Sequence, residues 1–172
     1  MASLIKARRI AQDSWQRLER AADGRVAALA DGGDVIVPLA LWLERRGELL
    51  HRPGRLGVWL DSHEAPEEVA ADVGRFAAIA VNFPKFQDGR GFSIARLLRE
   101  RFHYKGELRA VGHITRDHLY YLEACGFDAF ELREGEDPED ALAAFGAFSE
   151  AYQASVTRPV PLFRRRAAPD GQ

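Results

Sequence analysis

The chain has 172 residues, of which 47% are apolar and 29% charged, with a formal net charge of −2. That length supports one domain with its own core, and the near-neutral balance excludes a general pull toward nucleic acid or an anionic membrane. The single cysteine, Cys125, excludes an internal disulfide, and this chain alone cannot supply the thiolates of an iron–sulfur cluster or a Cys-rich zinc site.

No apolar run reaches the length of a membrane-spanning helix. Met1 to Arg9 carries basic residues without the apolar stretch of a secretory signal. The expected location is the cytoplasm, with no membrane and no nucleic-acid partner.

Leu4 to Ala22 is expected to be helical, with Ile5, Ile10, Trp15 and Leu18 at loose helical spacing. Asp31 to Asp34 is a turn, and Val35 to Val37 is a short β-branched run ended by Pro38. Leu39 to Leu50 reads as a helix. From there a βα pattern repeats. Leu56 to Leu60 is a strand, and Pro66, Glu67 and Glu68 open the next helix. Ala77 to Val81 is a strand, and Ile94 to Phe102 an amphipathic helix. Glu107 to Val111 is a strand, and Thr115 starts a helix stopped at Gly126. Phe127 to Leu132 is the last strand, and Asp137-Pro138 opens a final helix from Glu139 to about Ser155. Pro159 and Pro161 keep the segment after it extended.

This alternation predicts an α/β fold: an open, mainly parallel sheet of four to five strands, or alternatively a partial barrel. A closed eight-stranded barrel with its eight helices needs roughly 250 residues. The organisation follows as an N-terminal helical extension over 1–33, an α/β domain over 34–156, and a Pro- and Arg-containing tail over 157–172.

In such a sheet the carboxyl ends of the strands share one edge, where ligands bind. The loop Asn82 to Ser93 stands there, between a buried strand and a helix start. Its Lys85, Arg90 and Ser93, with Arg96 one turn later, are the anion-binding candidates. Asp61, Asp88 and His113 are the candidate acid–base groups. The structural alternative is a helix cap from Asp88 or Ser93 with solvated cations. Gly89-Arg-Gly-Phe-Ser-Ile94 lacks the third glycine and the strand-tip position of a dinucleotide fingerprint. No cofactor or metal motif is evident. Cys125, at a helix end, reads as a small buried side chain. Glu107, Arg109, Arg99 and Glu100 read as solvated charges or weak ion pairs. Pro159 to Phe163 offers apolar anchors in an extended segment suited to docking along another protein.

Several motifs recur together in order: Gly57-Val-Trp-Leu-Asp61, Ala80-Val-Asn-Phe-Pro-Lys-Phe86, Asp88-Gly-Arg-Gly-Phe-Ser93, Ala95 to Arg101, Tyr104 to Ala110, and Gly126-Phe-Asp-Ala-Phe-Glu-Leu132. Over roughly Asp34 to Leu132 the chain resembles a bacterial family of unknown function that is commonly labelled "probable oxidoreductase involved in sulfite reduction". The resemblance implies a role in assimilatory sulfur metabolism beside a sulfite or nitrite reductase. It carries no catalytic residues over. The residues themselves present no fingerprint, cluster ligands or redox cysteine pair. The reading is therefore an accessory that binds the reductase or an oxyanion without a redox cofactor of its own. The alternative is a small α/β enzyme acting on an anionic molecule at the strand edge.

Overall fold

The computed structural model describes residues 3–19, 32–85, 87–146, 154–161 and 164. Within them eight strands form one sheet: β1 (Leu4–Lys6), β2 (Arg9–Ala11), β3 (Gln16–Arg17), β4 (Val35–Pro38), β5 (Leu56–Leu60), β6 (Ala78–Phe83), β7 (Glu107–Gly112) and β8 (Ala129–Glu131). Their order is β2-β1-β8-β7-β6-β5-β4-β3. From β3 to β8 every neighbouring pair is parallel, and β1 joins β8 and β2 antiparallel.

Chain connectivity forces this sheet to curl. A flat sheet of eight strands sets its outer strands roughly 34 Å apart, at about 4.8 Å per strand. Those outer strands are β2 and β3, yet β2 ends at Ala11 and β3 begins at Gln16. That stretch of chain reaches at most about 18 Å. The sheet therefore curls into a half-barrel. An ion pair confirms the curvature: Arg17 Nη1 on β3 lies 2.9 Å from Glu131 Oε2 on β8, although four strands stand between them in the sheet.

Alternation along each strand separates two faces. The outer face carries Val35, Val37, Val58, Leu60, Ile79, Val81, Leu108, Ala110 and Phe130. The helical segments pack on it: α1 (Leu39–Leu49), a 3-10 segment (Pro66–Arg75), α2 (Arg90–Arg96) running into a π turn (Leu97–Arg101), α3 (Leu119–Ala124) and α4 (Pro138–Ala144). Trp42 of α1 is fully buried and meets Phe76 edge-on, with ring centroids 4.8 Å apart.

The inner face holds a smaller apolar set, Ile36, Trp59, Ala78, Ala80 and Val111, with Trp15 packed against it. Beside them lies a charged cluster. Arg109 is 2% exposed. Its guanidinium meets Asp13 at 2.6 Å and Glu107 at 2.7 Å, and Lys6 Nζ sits 2.6 Å from the other Glu107 oxygen. Trp59 Nε1 donates to the Leu18 carbonyl at 2.9 Å. Thus the N-terminal segment covers much of the inner face.

Several expectations are corrected. The sheet has eight strands, not four to five, and the partial barrel is the alternative that fits. The N-terminal segment is not a helical extension: its described part forms β1, β2 and β3, while residues 20–31 lie outside the described residues. Ile5 and Ile10 face each other across a hairpin, where Ile5 is buried and Ile10 is 45% exposed. Ala7 and Arg8, both at positive φ, make its tight turn and break any helix there. Glu107 and Arg109 are not solvated: as alternate residues of β7 they both point into the barrel. The helix expected over 94–102 starts earlier, at Arg90, and ends as the π turn. The last helix, expected to reach about Ser155, is described over Pro138–Ala144; Phe145 and Gly146 form a turn, Ala154 and Ser155 are not helical, and 147–153 lie outside the described residues.

Candidate functional site

The carboxyl ends of β5, β6 and β7 stand in register: Leu60 pairs with Val81, Asn82 with Val111, and Phe83 with Gly112. Each strand presents its polar residue just where its apolar run ends. Asp61 follows Leu60, Asn82 lies on the inner face of β6, and His113 follows Gly112.

Two small networks form there. Asp61 Oδ1 accepts the Ser62 backbone N–H at 2.7 Å and the Asn82 amide at 3.2 Å. His63 Nδ1 stands 3.5 Å from Asp61 Oδ2, and the His63 side chain is 61% exposed. The second network centres on Asp88. Arg90 Nε donates to its Oδ1 at 2.9 Å and Nη2 to its Oδ2 at 2.6 Å. The buried Ser62 hydroxyl donates to Asp88 Oδ2 at 2.7 Å and accepts from Arg90 Nη2 at 2.8 Å. Asp88 Oδ1 also accepts the Arg90 backbone N–H, at 3.2 Å, which helps to start α2. The forked guanidinium on one carboxylate is the strong, bidentate form of this contact.

The Arg90 guanidinium, the Ser62 hydroxyl and the backbone N–H hold the Asp88 carboxyl well below the usual carboxylate range. A group depressed in the folded state stabilises the fold above its unfolded value, and that contribution is lost as the pH falls toward the folded value. Asp88→Asn is therefore expected to unfold at lower urea than the native chain at pH 7. The gap should narrow progressively below about pH 4, the ordinary aspartate value. Urea midpoints of both proteins at pH 7 and pH 3 measure this, and a gap that does not shrink with acid would contradict it.

Of the expected site residues, the fold brings Asp61, Asp88 and Arg90 together, linked through Ser62. His113 turns to another partner, with Arg133 Nη1 at 3.3 Å from its Nε2. Lys85 is exposed; its carbonyl accepts the Asp88 N–H at 3.1 Å, while its side chain makes no hydrogen bond or ion pair among the described residues. Ser93 and Arg96 lie on α2 beside a shallow depression with Leu97, Glu100 and Arg101. Arg96 pairs with Glu100 at 3.1 Å. Among the described residues no side-chain contact joins Lys85, Arg90, Ser93 and Arg96 into one cradle. Asn82 and Ser62, which complete the networks, stand in the sequence at strand ends but without a motif of their own. Cys125 is buried, and burial pushes its thiol up, away from a nucleophile's range.

Ser155 to Arg158 lie against α3 and the loop before β8. Val156 N–H donates to the Ala124 carbonyl at 3.0 Å, and Ser155 and Arg158 close a turn by reciprocal backbone bonds at 2.8 and 3.2 Å. Gly126, at φ +107, admits this approach: a Cβ there would stand 3.1 Å from Val156 Cγ1 and 2.6 Å from Arg99 Cγ. Pro159 and Val160 remain exposed.

Residues 57–163, well over half of the chain, match the family model described as "Bacterial protein of unknown function (DUF934)". No curated protein and no solved structure matches the chain. The matched stretch carries both strand-edge networks and the docked C-terminal segment. No helix among the described residues is long and apolar enough to cross a membrane.

Proposed function

We propose that this chain, which belongs to that bacterial family of unknown function, is an accessory protein of assimilatory sulfite reduction. It acts by contact with a sulfite or nitrite reductase and brings no redox cofactor of its own. The placement in sulfur metabolism rests on the resemblance of its ordered motifs. The contact reading rests chiefly on the C-terminal segment. That segment is held to the body at Val156 and exposes Pro159 and Val160; beyond them it is not extended as expected but turns, the Arg164 N–H donating to the Pro161 carbonyl at 3.1 Å. The sequence continues with Leu162, Phe163 and three arginines, apolar anchors beside charge. Apolar anchors beside charge can dock in a groove of a partner, and the two prolines, which already restrict the chain, lower the ordering cost. The strand-edge charges favour the same reading: Arg90, the cation best placed to hold an anion, is already neutralised by Asp88.

The test is co-purification of the tagged native protein from its own bacterium grown on sulfate, beside a variant lacking residues 162–172. Recovery of a reductase subunit with the full chain, lost in the shortened one, is the expected result. The shortened chain keeps the segment docked through Val156 and the Ser155–Arg158 turn, and its urea midpoint beside that of the full chain checks that the body is folded.

A second reading is favoured by one observation, the convergence of Asp61, Ser62, Asp88 and Arg90 at the strand edge. In a small enzyme acting on an anionic molecule, Arg90 would exchange Asp88 for the substrate's anion, with Asp61 or Asp88 moving protons. It requires specific small-molecule binding by the isolated protein, lost in Arg90→Ala.

A further inference from the structure

The C-terminal segment does more than lie on the body. Between it and α3 it leaves a recess of about 150 Å³, lined by Tyr121, Ala124, Ala154, Thr157 and Arg158 among others. This is room for one benzene-sized ring. None of the residues of the Asp61 and Asp88 networks lines it, so it is a separate site.

Its electrostatics are one-sided. Among the described residues the only acid in the lining is Glu123, and both of its oxygens are taken by Arg8, at 2.8 Å each. Arg8 is fixed in turn over the Phe145 ring, 5.6 Å from its centroid. The acid thus presents little net charge to the recess. Arg158 is half-buried, and its guanidinium has no hydrogen-bond or ion-pair partner among the described residues. Its backbone is pinned, because the N–H donates to the Ser155 hydroxyl at 3.1 Å as well as to the Ser155 carbonyl. An unpaired guanidinium, on a pinned backbone, lining a small and mainly apolar recess selects a ligand with a flat apolar body and one anionic head.

We infer that the recess between α3 and the Ser155–Arg158 turn binds a small organic anion, its ring between Tyr121 and Ala124 and its carboxylate or sulfonate on Arg158. The inference does not depend on contact with a reductase. It would survive failure of that proposal, since the recess is built from residues that the shortened chain retains.

Titration calorimetry on the full chain tests it with three probes: benzoate, the uncharged benzyl alcohol, and inorganic sulfate. Expected is benzoate binding at millimolar concentration or tighter, with benzyl alcohol and sulfate each weaker by about tenfold or more. Arg158→Gln, which keeps the backbone turn, should weaken benzoate by at least about tenfold and leave benzyl alcohol unchanged. Tyr121→Ala should weaken both ring compounds. Equal binding of benzyl alcohol and benzoate, undiminished benzoate binding by Arg158→Gln, sulfate binding as tightly as benzoate, or no benzoate binding at all would overturn the assignment.

Discussion

Replacing Arg109 by methionine is expected to destabilise the protein by about 3–5 kcal/mol, the usual cost of removing one partner from a buried ion pair. Methionine fills similar space without charge. It strands Glu107, whose side chain is 6% exposed, with Lys6 as its remaining ion-pair partner among the described residues. Asp13, 34% exposed, can turn to water and should contribute less of the loss. The cost should appear as a large fall in the urea midpoint. Amide exchange should rise first in residues 4–18, because Arg109 and Glu107 hold that segment across the barrel through Asp13 and Lys6. Adding Glu107→Gln to Arg109→Met removes the stranded charge and is expected to recover part of the stability. A loss under about 1 kcal/mol for the single variant would mean that water reaches this cluster and that the barrel interior is not closed.

Gly112→Ala carries the second largest expected effect, on the order of 3 kcal/mol, from two sources. The residue sits at φ +93, where an L side chain is strained, and a Cβ would collide with Asn82 Oδ1 and lie 2.6 Å from the Phe83 carbonyl. The second clash is with backbone and cannot be relieved by a rotamer change. The first pushes Asn82 away from Asp61, its hydrogen-bond partner at 3.2 Å. The substitution should therefore lower the thermal midpoint and also disturb the side-chain amide resonance of Asn82. A Gly112→Ala protein with native stability would contradict the close pairing of β6 and β7 at the strand edge.

The sequence shows the central part of this fold because its strands are apolar on alternate or all positions and are separated by recognisable turns. Leu56–Leu60, Ala78–Phe83 and Glu107–Gly112 are legible within a residue or two for that reason. The N-terminal strands escape because they are two or three residues long, too short for alternation to outweigh a helical spacing of Ile5, Ile10 and Leu18. Their pairing is decided by partners far along the chain, β8 for β1 and β4 for β3, which no local pattern announces. Arg109 escapes for a related reason. A strand reading Glu-Leu-Arg-Ala-Val predicts one apolar face and one wet face, and the second face is dry here because the sheet curls and the N-terminal segment fills it.

The candidate site is half visible. Position at the strand ends marks Asp61 and the Lys85–Ser93 loop, and two of its charged groups, Asp88 and Arg90, do meet Ser62. What composition cannot show is that these two neutralise each other. Charge counts give a cation and an acid, whereas function depends on whether the cation is free. Arg158 is the converse case: it lies in a segment read as a tail, yet its guanidinium has no partner among the described residues and lines a built recess.

The central claim is contact with a reductase through the end of the chain, and co-purification with and without residues 162–172 tests it most directly. The account predicts a sulfite or nitrite reductase subunit with the intact protein and its loss on shortening, with the Arg90→Ala protein still capturing it. An intact protein that emerges alone, while its isolated form binds a small anion through Arg90, would contradict the account and transfer function to the strand edge.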